Sequence, residues 1–193
     1  MPNIHLVGGE KGGIGKSLFS CCLCHYCDEH NLKYELVDTD PLNPDVARIY
    51  EGITDIHFRA TESMSIINSK EAAKCDLIFE MALSNNVIVN LPANVHDSVS
   101  YWILDNQLLE HGDGLVSGAG VQIYQWFLSN GSYTSINLFL QSLQTYEGKL
   151  PHILVRNEGL NSDWSALEKR KDWQDAKKEY NFKEIILPGL RVT

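Results

Sequence analysis

"GGEKGGIGKS", residues 8 to 17, decides the reading of this chain. It holds five glycines and ends in Lys16 and Ser17, with a second lysine, Lys11, among the glycines. The apolar run "NIHLVG" (3 to 8) leads into it and reads as a strand, and the stretch from about Lys16 to His30 reads as a helix. In that setting successive backbone N–H groups converge on an anion, and the positive end of the helix dipole adds to their pull. The common phosphate-loop spacing is G-x-x-x-x-G-K-[ST]. Gly15, Lys16 and Ser17 supply its end, but its leading glycine would fall on Glu10, so the loop reads K-G-G-x-G-K-S over 11 to 17. Lys16 is placed to reach β- and γ-phosphates, and the Ser17 hydroxyl to face Mg²⁺.

Outward from this loop, apolar runs alternate with helical patterns, which marks a parallel sheet covered by helices. Further strands are expected at 33 to 39, 86 to 91, 120 to 128, 151 to 156 and 183 to 188. Helices are expected at 69 to 83, at 95 to 112 with Gly112 as the stop, at 132 to 148 with Gly148 at the end, and at 162 to 180 with Ser162 or Asp163 as cap. The first helix is apolar nearly all round, which predicts burial. The pattern predicts one α/β domain, a three-layer, doubly wound, mainly parallel sheet. Ligands in such folds sit beyond the carboxyl ends of the strands. Attention therefore falls on 8 to 17, 38 to 41, 90 to 94, the 128 to 132 loop, Asn157 and 188 to 190.

The bulk numbers agree. The chain has 193 residues, 44% of them hydrophobic and 21% charged, which suits a single globular domain. No apolar run approaches the roughly 20 residues of a membrane span, and "MPNIHLVGG" lacks the pattern of a signal peptide, so a cytoplasmic protein is expected. The net charge of −9 disfavours whole-surface binding to DNA. The mixed run "EKRKDWQDAKK" (168 to 178) is the best local basic candidate and reads first as a solvated helix face. Four of the five cysteines lie in "CCLCHYC" (21 to 27). No second CxxC completes a tetrahedral metal site there, and buried cysteine packs as a small hydrophobe.

K-G-G-x-G-K-[ST] resembles the deviant phosphate loop of the ParA/MinD family of ATPases, whose members have the P-loop NTPase fold. The resemblance implies that Gly12, Gly13, Ile14, Gly15, Lys16, Ser17 and Leu18 surround the phosphates of ATP. It implies too that Lys11 reaches the nucleotide of a partner subunit in an ATP-bound homodimer. "ELVDTDP" (35 to 41) matches the family's D-x-D-P. By resemblance Asp38 lies near Mg²⁺ and the attacking water, with Ser17 as the other metal ligand, and Asp40 orients or activates that water. Asn43 and the segment 42 to 50 would form the adjacent switch. "VIVNLPAN" (87 to 94) resembles the family's D-x-P-A/G turn, but Asn90 stands where the aspartate belongs. Asparagine can hydrogen-bond a metal-bound water but carries no charge. Pro92 and Ala93 keep the turn. Asn157, after the strand at 151 to 156, would read the adenine edge, and Pro188, Gly189 and Leu190 would cover the base.

The chain stops at "LPGLRVT" without a basic amphipathic helix, so no membrane partner is expected. Compact size and the "VNLPA" turn look most like plasmid-borne ATPases of stability, mobilisation and conjugal transfer, the MobD, TraL and StbB types. The resemblance then implies a slow Mg²⁺-ATP-dependent dimerising ATPase that binds a partner protein or protein–DNA complex, with direct DNA contact left open. Two other readings stay open: a nucleotide-binding module with little hydrolysis, which Asn90 favours, and a small-molecule phosphotransferase or ligase on the same fold.

Overall fold

The computed structural model describes residues 2–9, 11–58, 69–109, 115–116 and 120–189. The first half runs β1 (Asn3–Gly8), α1 (Lys16–Glu29), β2 (Tyr34–Asp38), α2 (Ala47–Tyr50), α3 (Ser69–Ala82), β3 (Asn86–Asn90) and α4 (His96–Asp105). The second runs β4 (Leu115–Val116), β5 (Val121–Ser129), α5 (Tyr133–Thr145), β6 (His152–Asn157), α6 (Ser165–Glu168), α7 (Lys171–Glu179) and β7 (Lys183–Leu187). The sheet order is β2-β3-β1-β5-β6-β7, with every neighbouring pair parallel. The short β4 adds an antiparallel pair at the start of β5.

Alternation along the strands sorts side chains to two faces. Ile4 and Leu6 of β1, Val87 and Val89 of β3 and Ile123 of β5 pack with Ile78, Val99 and Ile103 of α3 and α4. On the same face Phe127 and Leu154 meet Phe139 of α5 and Trp173 of α7. Val7, Ile88, Leu128 and Val155 point the other way, against Phe19, Cys24 and Cys27 of α1. The expected three-layer doubly wound fold is thus present. Order reverses at β1: the chain winds from it towards β2 and β3 first, then crosses to β5. The crevice between the carboxyl ends of β1 and β5 is the switch point at which such sheets hold ligands.

Three local expectations change. The single helix at 162 to 180 is two, because Arg170 adopts an extended backbone (ψ 130°) between α6 and α7. Its guanidinium is drawn to Asp172 and Asn137, both at 2.6 Å. The helix of 95 to 112 ends at Asp105, and Gln107 turns with φ +52°; the expected stop at Gly112 lies outside the described residues. Burial of α1 is confined to one stripe, with Leu18, Cys22 and Tyr26 exposed. α5 begins as expected, with Ser132 Oγ accepting from Ser135 N (3.3 Å), and Gly148 follows its end with φ +72°.

Candidate functional site

The loop between β1 and α1 closes through contacts made by its own residues. Gly15 holds φ +96° as the residue before α1, and a Cβ on it would fall 2.7 Å from Asn157 Nδ2. Both the handedness and the close approach demand glycine. Lys16 Nζ donates to Lys11 O (2.9 Å), spanning the loop. Asn157 Nδ2 donates to Ile14 O (2.9 Å), tying the loop to the end of β6. Among the described residues, chain neighbours aside, no atom lies within 4 Å of where a Cβ on Gly12 or Gly13 would stand. The loop therefore presents open backbone at the head of a 14-residue helix, with the Lys16 ammonium beside it.

This loop forms one wall of a cleft of about 470 Å³. Gly12, Gly13, Gly15, Lys16, Ser17 and Leu18 line it from α1's side, and Asp40, Asn43, Asp45, Asn90, Leu91 and Ala93 from the ends of β2 and β3. Three separate strand ends thus bring together residues that the sequence expected in one site. Asp40 Oδ1 accepts from Leu42 N and Asn43 N, both at 3.0 Å, which shapes the turn that carries it.

Asp38 stands behind this wall, not in it. It is fully buried; its Oδ2 accepts from Val46 N (3.0 Å) and Ala47 N (3.1 Å), and its Oδ1 from Asn90 Nδ2 (2.9 Å). Asp40 N approaches Oδ1 at 3.4 Å. With its lone pairs engaged in this way, Asp38 organises the 40 to 47 segment; the carboxylates exposed to the cleft are Asp40 and Asp45. Asn90 Oδ1 accepts in turn from Ser20 Oγ (3.0 Å). Thr39, also buried, donates from Oγ1 to Asn90 O (2.8 Å) and so locks the ends of β2 and β3 together.

Asn157 is buried, and its Oδ1 accepts from Gly159 N (3.0 Å) while its amide holds Ile14. Pro188 and Gly189 follow β7 beside it; a Cβ on Gly159 would lie 3.4 Å from Gly189 Cα. Leu190 lies outside the described residues. On the opposite side of the crevice Lys11 Nζ donates to Ser132 Oγ (3.2 Å). Ser20 was not singled out from sequence, and Ser132 only as the end of the 128 to 132 loop and the start of a helix. Ser20 follows Ser17 by three residues and so shares its helix face, which was the available signal.

The cysteine cluster and the 168 to 178 run do not line this cleft. Burial pushes the Cys24 thiol up to about 12 and raises Cys21 and Cys27 as well, so these groups are neutral thiols. Among the described residues no group of three or more His, Cys, Asp or Glu could hold a metal. In the 168 to 178 run, Lys177 pairs with Glu168 and Glu184, and Arg170 with Asp172. Among the described residues no helix is long and apolar enough to cross a membrane.

Order, switch point and loop define a P-loop NTPase fold. Solved structures carry the same fold at low identity. A nucleotide-binding protein from Archaeoglobus fulgidus in complex with ADP matches with TM-score 0.50 and 14% identity, over 96% of this chain and 81% of that one. The signal recognition particle receptor FtsY from Elizabethkingia anophelis matches with TM-score 0.51 and 13% identity, over 98% and 59%. No protein-family model matches the chain. Among curated proteins, Protein MobD of Acidithiobacillus ferrooxidans is 40% identical over 53 residues, 28% of this chain and 23% of MobD. A Protein TraL of Escherichia coli is 30% identical over 112 residues, 56% of this chain and 44% of TraL. A second Escherichia coli TraL is 27% identical over 168 residues, 79% of this chain and 67% of that protein. The chain thus spans less than half the length of the first two relatives.

Proposed function

We propose that the chain is a Mg²⁺-ATP-dependent dimerising switch of the ParA/MinD type, serving plasmid or DNA maintenance or mobilisation with a partner protein or protein–DNA complex. The observation that carries this reading is the open Gly12–Gly13 backbone at the head of α1 with Lys16 folded across the same loop. That arrangement suits a polyphosphate: the N–H groups take its oxygens, and Lys16 exchanges its carbonyl partner for the β- and γ-phosphates. Likeness of sequence to MobD and TraL supports the plasmid setting.

Mg²⁺ suits the donor set as an ion that arrives with the nucleotide. It keeps several waters and takes one or two protein oxygens along with phosphate oxygens. The Ser17 hydroxyl and Asp40 carboxylate line the cleft and would hold it, with Asp38 holding the loop behind them. Bound there, the ion neutralises phosphate charge. For hydrolysis the chain supplies position and charge: the loop fixes the triphosphate, and Asp40 and Asn43 face the water that attacks the γ-phosphorus as the bond to ADP breaks. Among the described residues that line the cleft, only carboxylates stand ready to take the water's proton, so turnover is slow. The base would lie towards Asn157, whose amide is tied to the loop, and towards Pro188 and Gly189 after β7.

Dimerisation is supported by the rim of the cleft. Leu18 lines the cleft, Leu42 sits in the turn that carries Asp40, and Tyr133 follows Ser132, the partner of Lys11; all three are exposed. Apolar side chains gathered around one opening suit a face that a second copy covers. A second reading, nucleotide binding with little hydrolysis, is favoured by Asn90, whose amide is spent on Ser20 and Asp38. Molecular mass in solution without nucleotide and with Mg²⁺-ATP, with phosphate release followed in the same samples, tests both. A dimer that releases phosphate supports the switch. A dimer without release supports the second reading, and a monomer throughout rejects the role of Lys11.

A further inference from the structure

Three buried polar side chains form a chain that runs from α1 through Asn90, in the wall of the cleft, to Asp38 behind it. Ser20 Oγ donates to Asn90 Oδ1, Asn90 Nδ2 donates to Asp38 Oδ1, and Asp38 Oδ2 accepts from Val46 N and Ala47 N. Their relative exposures are 0, 2 and 0%. The amide has one sensible orientation. A carboxylate only accepts, so the NH₂ faces Asp38, and the carbonyl oxygen is left for the Ser20 hydroxyl. The chain links α1, through the ends of β3 and β2, to the segment that opens α2. Asp40 and Asn43 lie between the two ends of that pinned segment and face the cleft.

An aspartate at position 90 would put a carboxylate oxygen where the amide nitrogen now lies, 2.9 Å from Asp38. Buried carboxylates so close repel, and the pair must take up a proton or hold a cation between them. The carboxamide needs neither: it holds Asp38 by donating to it.

We propose that Ser20 and Asn90 are positioning residues that latch the 38 to 47 segment through Asp38 without a metal ion, so that the wall bearing Asp40 and Asn43 stands assembled before Mg²⁺ arrives. This latch serves the nucleotide cleft proposed above, yet it is measurable without nucleotide. Thermal unfolding of the full chain in EDTA and in millimolar Mg²⁺ should give the parent one melting temperature, within about 1 °C. Asn90→Asp should melt about 5–10 °C lower in EDTA and regain much of the loss in Mg²⁺. The exchange Asp38→Asn with Asn90→Asp should restore the latch in EDTA. Its amide oxygen at 38 would accept from Val46 N and Ala47 N, and its NH₂ would donate to the carboxylate at 90. Parent-like melting of Asn90→Asp in EDTA, or an exchange variant as unstable as the single one, overturns the proposal. If Asn90→Asp does not fold at all, the exchange alone decides: a folded protein supports the latch, an unfolded one rejects it. In parallel, a non-hydrolysable ATP analogue should bind the parent with less than about a tenfold loss in EDTA and bind Asn90→Asp only with Mg²⁺. Failure of the parent to bind the analogue with or without Mg²⁺ would reject the nucleotide reading, and the unfolding comparison would still decide the latch.

Discussion

Lys11 and Ser132 meet through a 3.2 Å hydrogen bond that joins two loops 121 residues apart in sequence. The same Ser132 oxygen caps α5 by accepting from Ser135 N. Lys11 is thus held across the crevice between the ends of β1 and β5, at the rim of the cleft. To reach a nucleotide in a second copy it must leave Ser132. Lys11→Ala should keep the monomer's ATP affinity within about threefold and abolish the ATP-dependent dimer, with phosphate release down by about 100-fold or more. Light scattering with a phosphate assay reads both, and normal dimerisation of the variant would rule out the cross-subunit role. Ser132→Ala removes the cap as well, at about 1 kcal/mol, or roughly 2–4 °C in melting temperature.

Asn157 and Gly15 form the opposite clamp. The amide of Asn157 both supports Ile14 O and leaves no room for a Cβ on Gly15. Asn157→Asp keeps the volume but turns a donor into an acceptor against a carbonyl. It should lower nucleotide affinity about tenfold or more, and lower the melting temperature by several degrees, because a buried acceptor loses its partner. Isothermal titration with ATP would check the first and calorimetry the second. Unchanged affinity in Asn157→Asp would mean that the clamp does not shape the loop.

Asn157 also shows what the sequence could convey. Its place after a strand was legible, because apolar alternation in "PHILVR" marks the strand and its end. Its partner was not, because nothing local says that an amide will reach a carbonyl 143 residues earlier. The same limit explains Asp38 and Asp40. Their spacing put both at a strand end. Which one turns inward depends on Val46, Ala47 and Asn90, which approach only in the folded chain. The break at Lys169 and Arg170 was hidden because that stretch is charged and helix-compatible throughout, and it goes with the contact of Arg170 with Asn137.

Lys16 offers the sharpest test of the cleft. Its ammonium lies against Lys11 O, on the loop that the phosphates would occupy. Lys16→Ala removes both this tie and the charge opposite the phosphates. ATP affinity should fall by about 100-fold or more, since a charge-assisted contact to a desolvated anion is worth a few kcal/mol. Fluorescent-nucleotide titration is sufficient, and affinity within threefold of the parent would end the phosphate-loop assignment.

One buried histidine, His152, and one half-buried histidine, His5, weigh on the acid side of stability. Burial pushes His152 and His5 down to about 4. His152 Nδ1 donates to Leu150 O (2.7 Å), which leaves Nε2 to accept from Ser142 Oγ (2.8 Å). His5 Nδ1 accepts from Trp126 Nε1 (3.1 Å). Protonation would break the accepting bond in each. The unfolded chain binds these protons below about 6.5, the folded chain only near 4, so the unfolded state holds more protons in between. Stability is therefore full above pH 6.5 and declines as pH falls towards 4. Melting temperature should drop by roughly 5–10 °C between pH 7 and pH 4.5. His152→Asn, which can still donate towards Leu150, should start lower but lose less over the same range. A variant whose melting temperature falls as steeply as the parent's would show that the acid loss comes from other groups.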